Sequence, residues 1–387
     1  NGSEFQDILV AGGSFVAGGY APGGWVRSNG YPAYSSVVVN LPYTAARTTV
    51  VLRWHMISAP DPNFGGGGFW WIDTIHLCDG YACDVIPQPE LLAVDTAGNQ
   101  VWEPGETVDI DPYYYNNGGA ALDLSGTATS LTGPPGAAYT IADSVATYGS
   151  IYPGFLGGCS FAPDCYSVSV DNPATRPAAH WDAFLQEALS NGTAMTWVLH
   201  IGGSFADAPT SNPFYPFIEN IFHHGITSGC GGGNYCPDSS VTRGQMAVFL
   251  LKAKHGSAFV PPACTGVFPD VPCPSQFADW IEELFHQGIT GGCGGGNYCP
   301  NNPVRRDQMA AFLLKAEHGS SYTPPACTGI FPDVACPSIF ADWIEQFFHE
   351  NITGGCGGGN YCPLNPNTRG QMAVFLVKSF GLQLYGP

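Results

Sequence analysis

The 387-residue chain carries 31 acidic against 12 basic residues, a net charge of −19, and only 11% of its residues are charged. That balance excludes a nucleic-acid partner, whose phosphates need clustered Lys and Arg, and it argues equally against adhesion to anionic lipid. Gly (51) and Pro (33) together exceed a fifth of the chain, aromatics reach 13% and hydrophobic residues 44%, which excludes disorder and reads as turn-rich extracellular β structure.

Residues 1–86 read as β. Val37-Val38-Val39, Thr49 to Trp54 and Phe69 to Ile75 are β-branched and aromatic runs separated by Gly and Pro clusters, and Gly65-Gly66-Gly67-Gly68 is a loop by composition. Strand alternation puts one of Trp70 and Trp71 inward and the other outward, toward a partner or a sugar. The stretch from Gly12-Gly13-Ser14-Phe15-Val16 through Val51-Leu52-Arg53-Trp54 to Gly68-Phe69-Trp70-Trp71-Ile72-Asp73 resembles the second half of a MAM-like jelly-roll module of secreted bacterial proteins. That resemblance implies a partial jelly-roll sandwich whose first strands are missing. With no initiator Met and no signal peptide, the chain is expected to be a processed or partial product.

Residues 87–205 read as a second β domain after the linker Pro87-Gln88-Pro89, with strands at Leu91 to Val94, Val101 to Val108 and Thr196 to Ile201. One helix is expected from Pro177 to Leu189, with Trp181, Phe184, Leu185 and Leu189 on one face. Glu103-Pro104-Gly105-Glu106 followed by Asn116-Asn117-Gly118-Gly119-Ala120 resembles Ig-like modules of bacterial surface proteins, implying an Ig-like β-sandwich.

From residue 206 the chain repeats itself three times, giving units 206–263, 264–326 and 327–387. Cys230, Cys293 and Cys356 fall at a constant interval of 63 residues, as do Asp207, Asp270 and Asp333, the mark of an array. Each unit opens on an aromatic–x–Asp turn. A helix follows, represented in the second copy by Phe277, Trp280, Ile281, Leu284 and Phe285 and stopped by Gly288. After a Gly-rich Cys loop a second helix opens at Thr242, with Gln245 three residues on forming a capping box. The openings Thr242-Arg243-Gly244-Gln245, Arg305-Arg306-Asp307-Gln308 and Thr368-Arg369-Gly370-Gln371 resemble the signature of the S-layer homology family, in which an acidic residue takes the place of Gln and no paired-Cys loop is present. The resemblance implies a three-lobed helical module that holds proteins on a cell surface, often through anionic wall glycan. The fold class is thus multi-domain: an all-β N-terminal half of partial jelly-roll and Ig-like sandwich, then an α-helical three-repeat module.

The fourteen cysteines fall into close neighbours: Cys78 with Cys83, Cys159 with Cys165, Cys230 with Cys236, Cys264 with Cys273, Cys293 with Cys299, Cys327 with Cys336 and Cys356 with Cys362. An even number with every partner near predicts seven local disulfides and an oxidising compartment, and the spacings do not match zinc ligation. The pairs Cys264 with Cys273 and Cys327 with Cys336 span junctions between repeats. Asn1, Asn191 and Asn351 head N-x-Ser/Thr glycosylation sequons.

Arg243, Arg306 and Arg369 begin the second helices, where free N–H groups favour anions and Arg adds a bidentate fork. They are candidates for a glycan-binding groove between lobes; the competing role is to pair with a neighbouring lobe's carboxylate or Gly-rich loop. Trp280 and Trp343 occupy one repeat position, with Phe217 in the first copy, and either stack on sugar or fill the core. His223, His286 and His349 end the first helices as caps, or hold metal if the repeats bring them together. Asp109 with Asp111, and Asp61 with Asp73, are the candidate Ca²⁺ ligands, none in an EF-hand pattern.

No nucleophile-elbow, zinc-protease or phosphate-loop motif occurs, so no catalysis is expected. The expected function is cell-surface architecture, as a self-assembling filament or layer subunit or as an anchored surface protein. The alternative is the glycan-binding tail of a larger secreted enzyme such as a peptidase.

Overall fold

The computed structural model describes residues 14–17, 38–40, 85–87 and 92–386, apart from 97 and 117–120. The aromatic runs at 49–54 and 69–75, together with Asp61 and Asp73, lie outside the described residues. So do Cys78 and Cys83, and the disulfide expected between them is therefore not among those that the structure describes. In the first region β1 (Ser14–Ala17) pairs antiparallel with β2 (Val38–Asn40), which overlaps the predicted Val37–Val39 run at Val38 and Val39.

The β-rich region is built in two layers. In one, β4 (Ala93–Asp95), β5 (Thr107–Asp111), β11 (Tyr166–Val170) and β8 (Tyr139–Asp143) form a sheet in the order β4-β5-β11-β8. A smaller sheet, β10-β6-β3, joins β10 (Leu156–Gly158), β6 (Tyr113–Asn116) and β3 (Val85–Pro87). The other layer is five-stranded, ordered β14-β13-β12-β7-β9, from β7 (Leu122–Thr132), β9 (Val145–Ile151), β12 (Asp182–Leu189), β13 (Ala194–His200) and β14 (Tyr385–Gly386). Alternation drives the pairing: on β11 Tyr166, Val168 and Val170 point inward, on β13 Trp197 and Leu199, and all join one core with Trp102 and Trp181.

The helix expected over 177–189 is a strand from Asp182. Trp181, Phe184, Leu185 and Leu189 satisfy a helical spacing, but Ala183, Leu185, Glu187 and Leu189 satisfy a period of two, and that set is buried. The decisive residue is Glu187, a carboxylate on the inner face. Tyr114, Tyr148 and Tyr166 hydroxyls and the Trp197 indole N–H all donate to it, the Trp197 bond at 2.7 Å. Gly126 on the neighbouring β7 has no room for a Cβ, because Tyr166 and Glu187 occupy the space. Burial first, and the Glu187 carboxylate second, hold the three phenols above their ordinary pKa.

Six helices follow among the described residues: α1 (Tyr215–His223), α2 (Arg243–His255), α3 (Ala278–His286), α4 (Arg306–His318), α5 (Ala341–His349) and α6 (Arg369–Phe380). The predicted starts hold. Thr242 accepts from the Gln245 N–H and Gln245 reaches back, and Thr368 with Gln371 does the same. Gly288 at φ 70° follows α3 as expected. The two helices of one sequence repeat are not the packed pair. Instead α2 packs on α3, α4 on α5, and α6 returns to α1, with α2, α4 and α6 meeting at the centre. Each sequence repeat therefore lends its second helix to the next lobe, and the third lends it to the first. After α6 the chain runs on to β14, which closes the edge of the five-stranded sheet beside β13, and the Tyr385 hydroxyl accepts from the Trp102 N–H. The predicted third repeat thus ends in a strand of the preceding β domain.

Candidate functional site

The three lobes meet in a closed backbone ring. The Val241 N–H donates to the Asn367 carbonyl, Asn367 to Val304, and Val304 back to Val241, at 2.8–2.9 Å. Just beyond this ring each second helix is pinned to the Cys loop of the following lobe. The N–H groups of Arg243 and Gly244 donate to Asn302 and Pro300, those of Arg306 and Asp307 to Asn365 and Pro363, and those of Arg369 and Gly370 to Ser239 and Pro237. Helix N-termini leave such donors free, and here a neighbouring loop satisfies them.

The Cys loops are shaped to receive them. In each, the N–H of the first cysteine (Cys230, Cys293, Cys356) donates to the carbonyl four residues on, at 2.7 Å. The preceding Gly229, Gly292 and Gly355 have φ of 86–88° and sit against that same carbonyl, where a Cβ has no space. The repeated Asp207, Asp270 and Asp333 brace the other end, each accepting two backbone N–H bonds; Asp207 takes those of Tyr235 and Cys236 at 2.7 Å. Six of the seven predicted disulfides are formed among the described residues: Cys159–Cys165, Cys230–Cys236, Cys264–Cys273, Cys293–Cys299, Cys327–Cys336 and Cys356–Cys362. The seventh, Cys78 with Cys83, falls outside them.

The candidate arginines lie inside these junctions. Arg243, Arg306 and Arg369 keep 3%, 3% and 5% of their surface. Each Nε donates to a loop carbonyl of the next lobe: Tyr298, Tyr361 and Tyr235, at 2.7–2.9 Å. Each Nη2 reaches a threonine (Thr290, Thr353, Thr227). Each guanidinium also stacks between that tyrosine and a helix phenylalanine, Arg243 at 4.7 Å from Tyr298 and 5.3 Å from Phe312. The tyrosine hydroxyl closes the circuit on the arginine's own carbonyl. Burial lowers each guanidinium pKa, opposed by the tyrosine and then the repeated Asp. Of the two roles read from sequence, pairing with the neighbouring Gly-rich loop is the one this geometry displays.

The rim still presents chemistry. The Nη1 of each arginine makes no hydrogen bond among the described residues. At the junction of the third and first repeats Arg369 lines an open hollow of about 510 Å³ with Ser228, Ser239, Ser240, Gln245 and Gln276. Hydroxyls, amides and one guanidinium edge are the groups that sugars and their acidic substituents hydrogen-bond. Trp280 and Trp343 are half-buried: each packs on the helical core, Trp280 at 6.1 Å from Phe259 and Trp343 at 6.2 Å from Tyr322. Asp109 and Asp111 line a separate hollow of about 620 Å³ on the four-stranded sheet, with Asp143 and Asp164; Asp111 accepts from the Cys159 N–H at 2.9 Å.

Sequence reasoning missed a repeated carboxylate. Glu282 and Glu345 sit under the inter-repeat loops, each accepting three consecutive backbone N–H bonds and one threonine hydroxyl; for Glu282 these come from Thr265, Gly266 and Val267 at 2.6–3.0 Å. Burial alone would raise their pKa, but the backbone donors outweigh it and the net shift is downward from 4.5. A depressed carboxylate stabilises the fold above the unfolded value and loses that contribution as pH falls through the folded one. Glu282→Gln is therefore expected to melt earlier than the parent at pH 7, with the gap closing below about pH 4. A gap that stays constant from pH 7 to pH 3 would show that the charge is immaterial.

Residues 204–247 match the family model of the S-layer homology domain. A cell surface protein of Thermoanaerobacter kivui is 28% identical over 114 residues, 29% of this chain and 15% of that one. An endoglucanase of Bacillus sp. (strain KSM-635) is 24% identical over 176 residues, 44% of this chain and 18% of that one. The chain thus spans under a fifth of either relative's length. A Nocardia farcinica protein described as having an immunoglobulin-like fold aligns with 27% of this chain and 81% of its own, at 14% identity and a TM-score of 0.14. The S-layer homology domain places the chain at the extracellular cell surface, in keeping with its disulfides, and no described helix is long and apolar enough to cross a membrane.

Proposed function

We propose that a chain carrying an S-layer homology domain at 204–247 uses all three of its repeats as one such module, which holds the β domains on an anionic wall glycan. The carrying observation is the closed ring: three junctions related by the repeat, each with a buried arginine, of which Arg369 lines a polar hollow. The β-rich region, in this reading, is an Ig-like sandwich displayed outward, and the chain is structural and not catalytic. Self-assembly into a filament or layer belongs to the same reading. β8 and β4 leave the two edges of the four-stranded sheet without a partner strand among the described residues, and such edges accept strands from another copy.

The test is cosedimentation of the chain with purified cell walls before and after their anionic polymer is stripped. Binding is expected to vanish on stripping and to weaken roughly fivefold in Gln276→Ala, an exposed residue of the hollow outside the ring contacts, since one glycan hydrogen bond is worth about 1 kcal/mol. Equal binding to intact and stripped walls would sink the glycan reading.

A second reading, a glycan-binding tail of a larger secreted enzyme, is favoured by the match to part of a protein named endoglucanase. A catalytic motif upstream in the full reading frame would decide for it.

A further inference from the structure

The first repeat differs from the other two where it meets the β domain. Glu219 stands at the repeat position of Glu282 and Glu345, yet it does not hold a loop of consecutive N–H groups. It accepts from the Ser204 N–H and hydroxyl and binds His200 Nε2 at 2.9 Å. His223 likewise differs from its equivalents: His286 and His349 are exposed, whereas His223 is covered where the end of α1 faces β12 and β13. There it joins His180, Asp182 and His200, whose ligand atoms and its own all lie within 4.8 Å of one another.

We propose that these four side chains form a zinc-class divalent metal site with an N₃O donor set, which staples the β domain to the first repeat. Asp182 is the hub. Its carboxylate lies 2.9 Å from His180 Nε2, 3.0 Å from His200 Nδ1 and 3.2 Å from His223 Nδ1. Metal–nitrogen bonds of about 2.0–2.1 Å in a tetrahedron place neighbouring donors about 3.3 Å apart; the three separations from the Asp182 carboxylate are already near that, and the imidazole nitrogens lie within 4.8 Å of one another. Donors come from three elements: the turn before β12 and its first residue, the end of β13, and the last turn of α1. The ion would thus tie two domains and not one loop.

The outer partner is present as well. Glu219, with no exposed side-chain surface, engages His200 Nε2 and leaves Nδ1 facing the cluster, the carboxylate–histidine arrangement that orients metal-bound imidazole. Asp182 and Glu219 supply two negative charges against the two positive charges of the ion. His180 keeps 40% of its side chain exposed, which gives the ion a way in. Cysteine is absent from the set, and three imidazoles with one carboxylate suit zinc over calcium or magnesium, which take oxygen. The site does not depend on glycan binding.

The experiment is zinc titration of the full oxidised chain after chelator dialysis, with metal content and cobalt absorption as readouts. One zinc per chain is expected, with the intense visible bands of four-coordinate cobalt. His180→Ala, at the exposed side, and His223→Ala should each weaken binding at least 100-fold. Glu219→Gln should weaken it about 10–100-fold. His286→Ala, the repeat equivalent outside the cluster, should bind as the parent does. Circular dichroism of the metal-free His180→Ala chain checks that it folds. No stoichiometric zinc in the parent, octahedral cobalt spectra, or unchanged binding in folded His180→Ala would each overturn the site and leave the four residues as a hydrogen-bonded network only.

Discussion

Arg306→Ala is expected to destabilise the helical module by about 3–5 kcal/mol, while Arg305→Ala next to it costs about 1 kcal/mol or less. The two arginines are adjacent in sequence and opposite in physics. Arg305 is 40% exposed and pairs with Asp307 at 2.7 Å, a solvent-screened contact. Arg306 is buried, donates to the Tyr361 and Gly355 carbonyls at 2.9 and 3.1 Å, and lies 4.8 Å from the Tyr361 ring and 5.6 Å from that of Phe375. Hydrogen bonds from a charged donor contribute about 1.5–3 kcal/mol each, and a desolvated cation–π contact about 2. Arg306→Lys should recover little, because an ammonium neither lies flat between two rings nor presents a fork. Since the ring closes through three such junctions, opening one exposes the others. Thermal melting followed by tryptophan fluorescence checks this: equal shifts for the two alanine variants, or full recovery by lysine, would remove the arginine junction as the module's fastening.

Glu187→Ala should prevent the β domain from folding. Four donors converge on that carboxylate in a core from which water is excluded. Each buried donor left without a partner costs about 1–3 kcal/mol, so the sum approaches the whole stability of an ordinary domain. Glu187→Gln keeps the shape but replaces an acceptor oxygen with an NH₂ that confronts donors. A loss of about 2–4 kcal/mol is expected, or a fall in melting temperature of roughly 5–15 °C for a domain of this size. Near-ultraviolet circular dichroism reports on Trp197 directly. A glutamine variant melting with the parent would mean that the network carries no net stability.

That same residue shows why the strand at 182–189 was hard to read. A window on Trp181, Phe184, Leu185 and Leu189 satisfies a helical face, and the competing alternation contains an acidic residue at a buried position. Only the partners from β6, β9, β11 and β13 turn Glu187 from a break in the pattern into its centre. The arginines were legible as a repeated feature and as helix starts. Their inward direction was not, because it depends on a Cys loop 55 residues further on for Arg243 and Arg306, and 134 residues back for Arg369. His223 looked like two other helix-capping histidines for the same reason.

The sequence by itself determined the period, the local disulfides, the capped helix starts, the acidic extracellular character and the β-then-α order. The disulfides and helix starts rest on neighbours within about ten residues, and the period, charge and order are read by comparing or summing along the chain without knowing what packs on what. Tertiary structure alone decided that second helices pack on the following lobe, that the last strand returns to the β domain, and that Glu219 and His223 leave the repeat's pattern to face His180, Asp182 and His200. Those outcomes depend on groups far apart in the chain competing for the same buried donors and acceptors, and no local window contains both competitors.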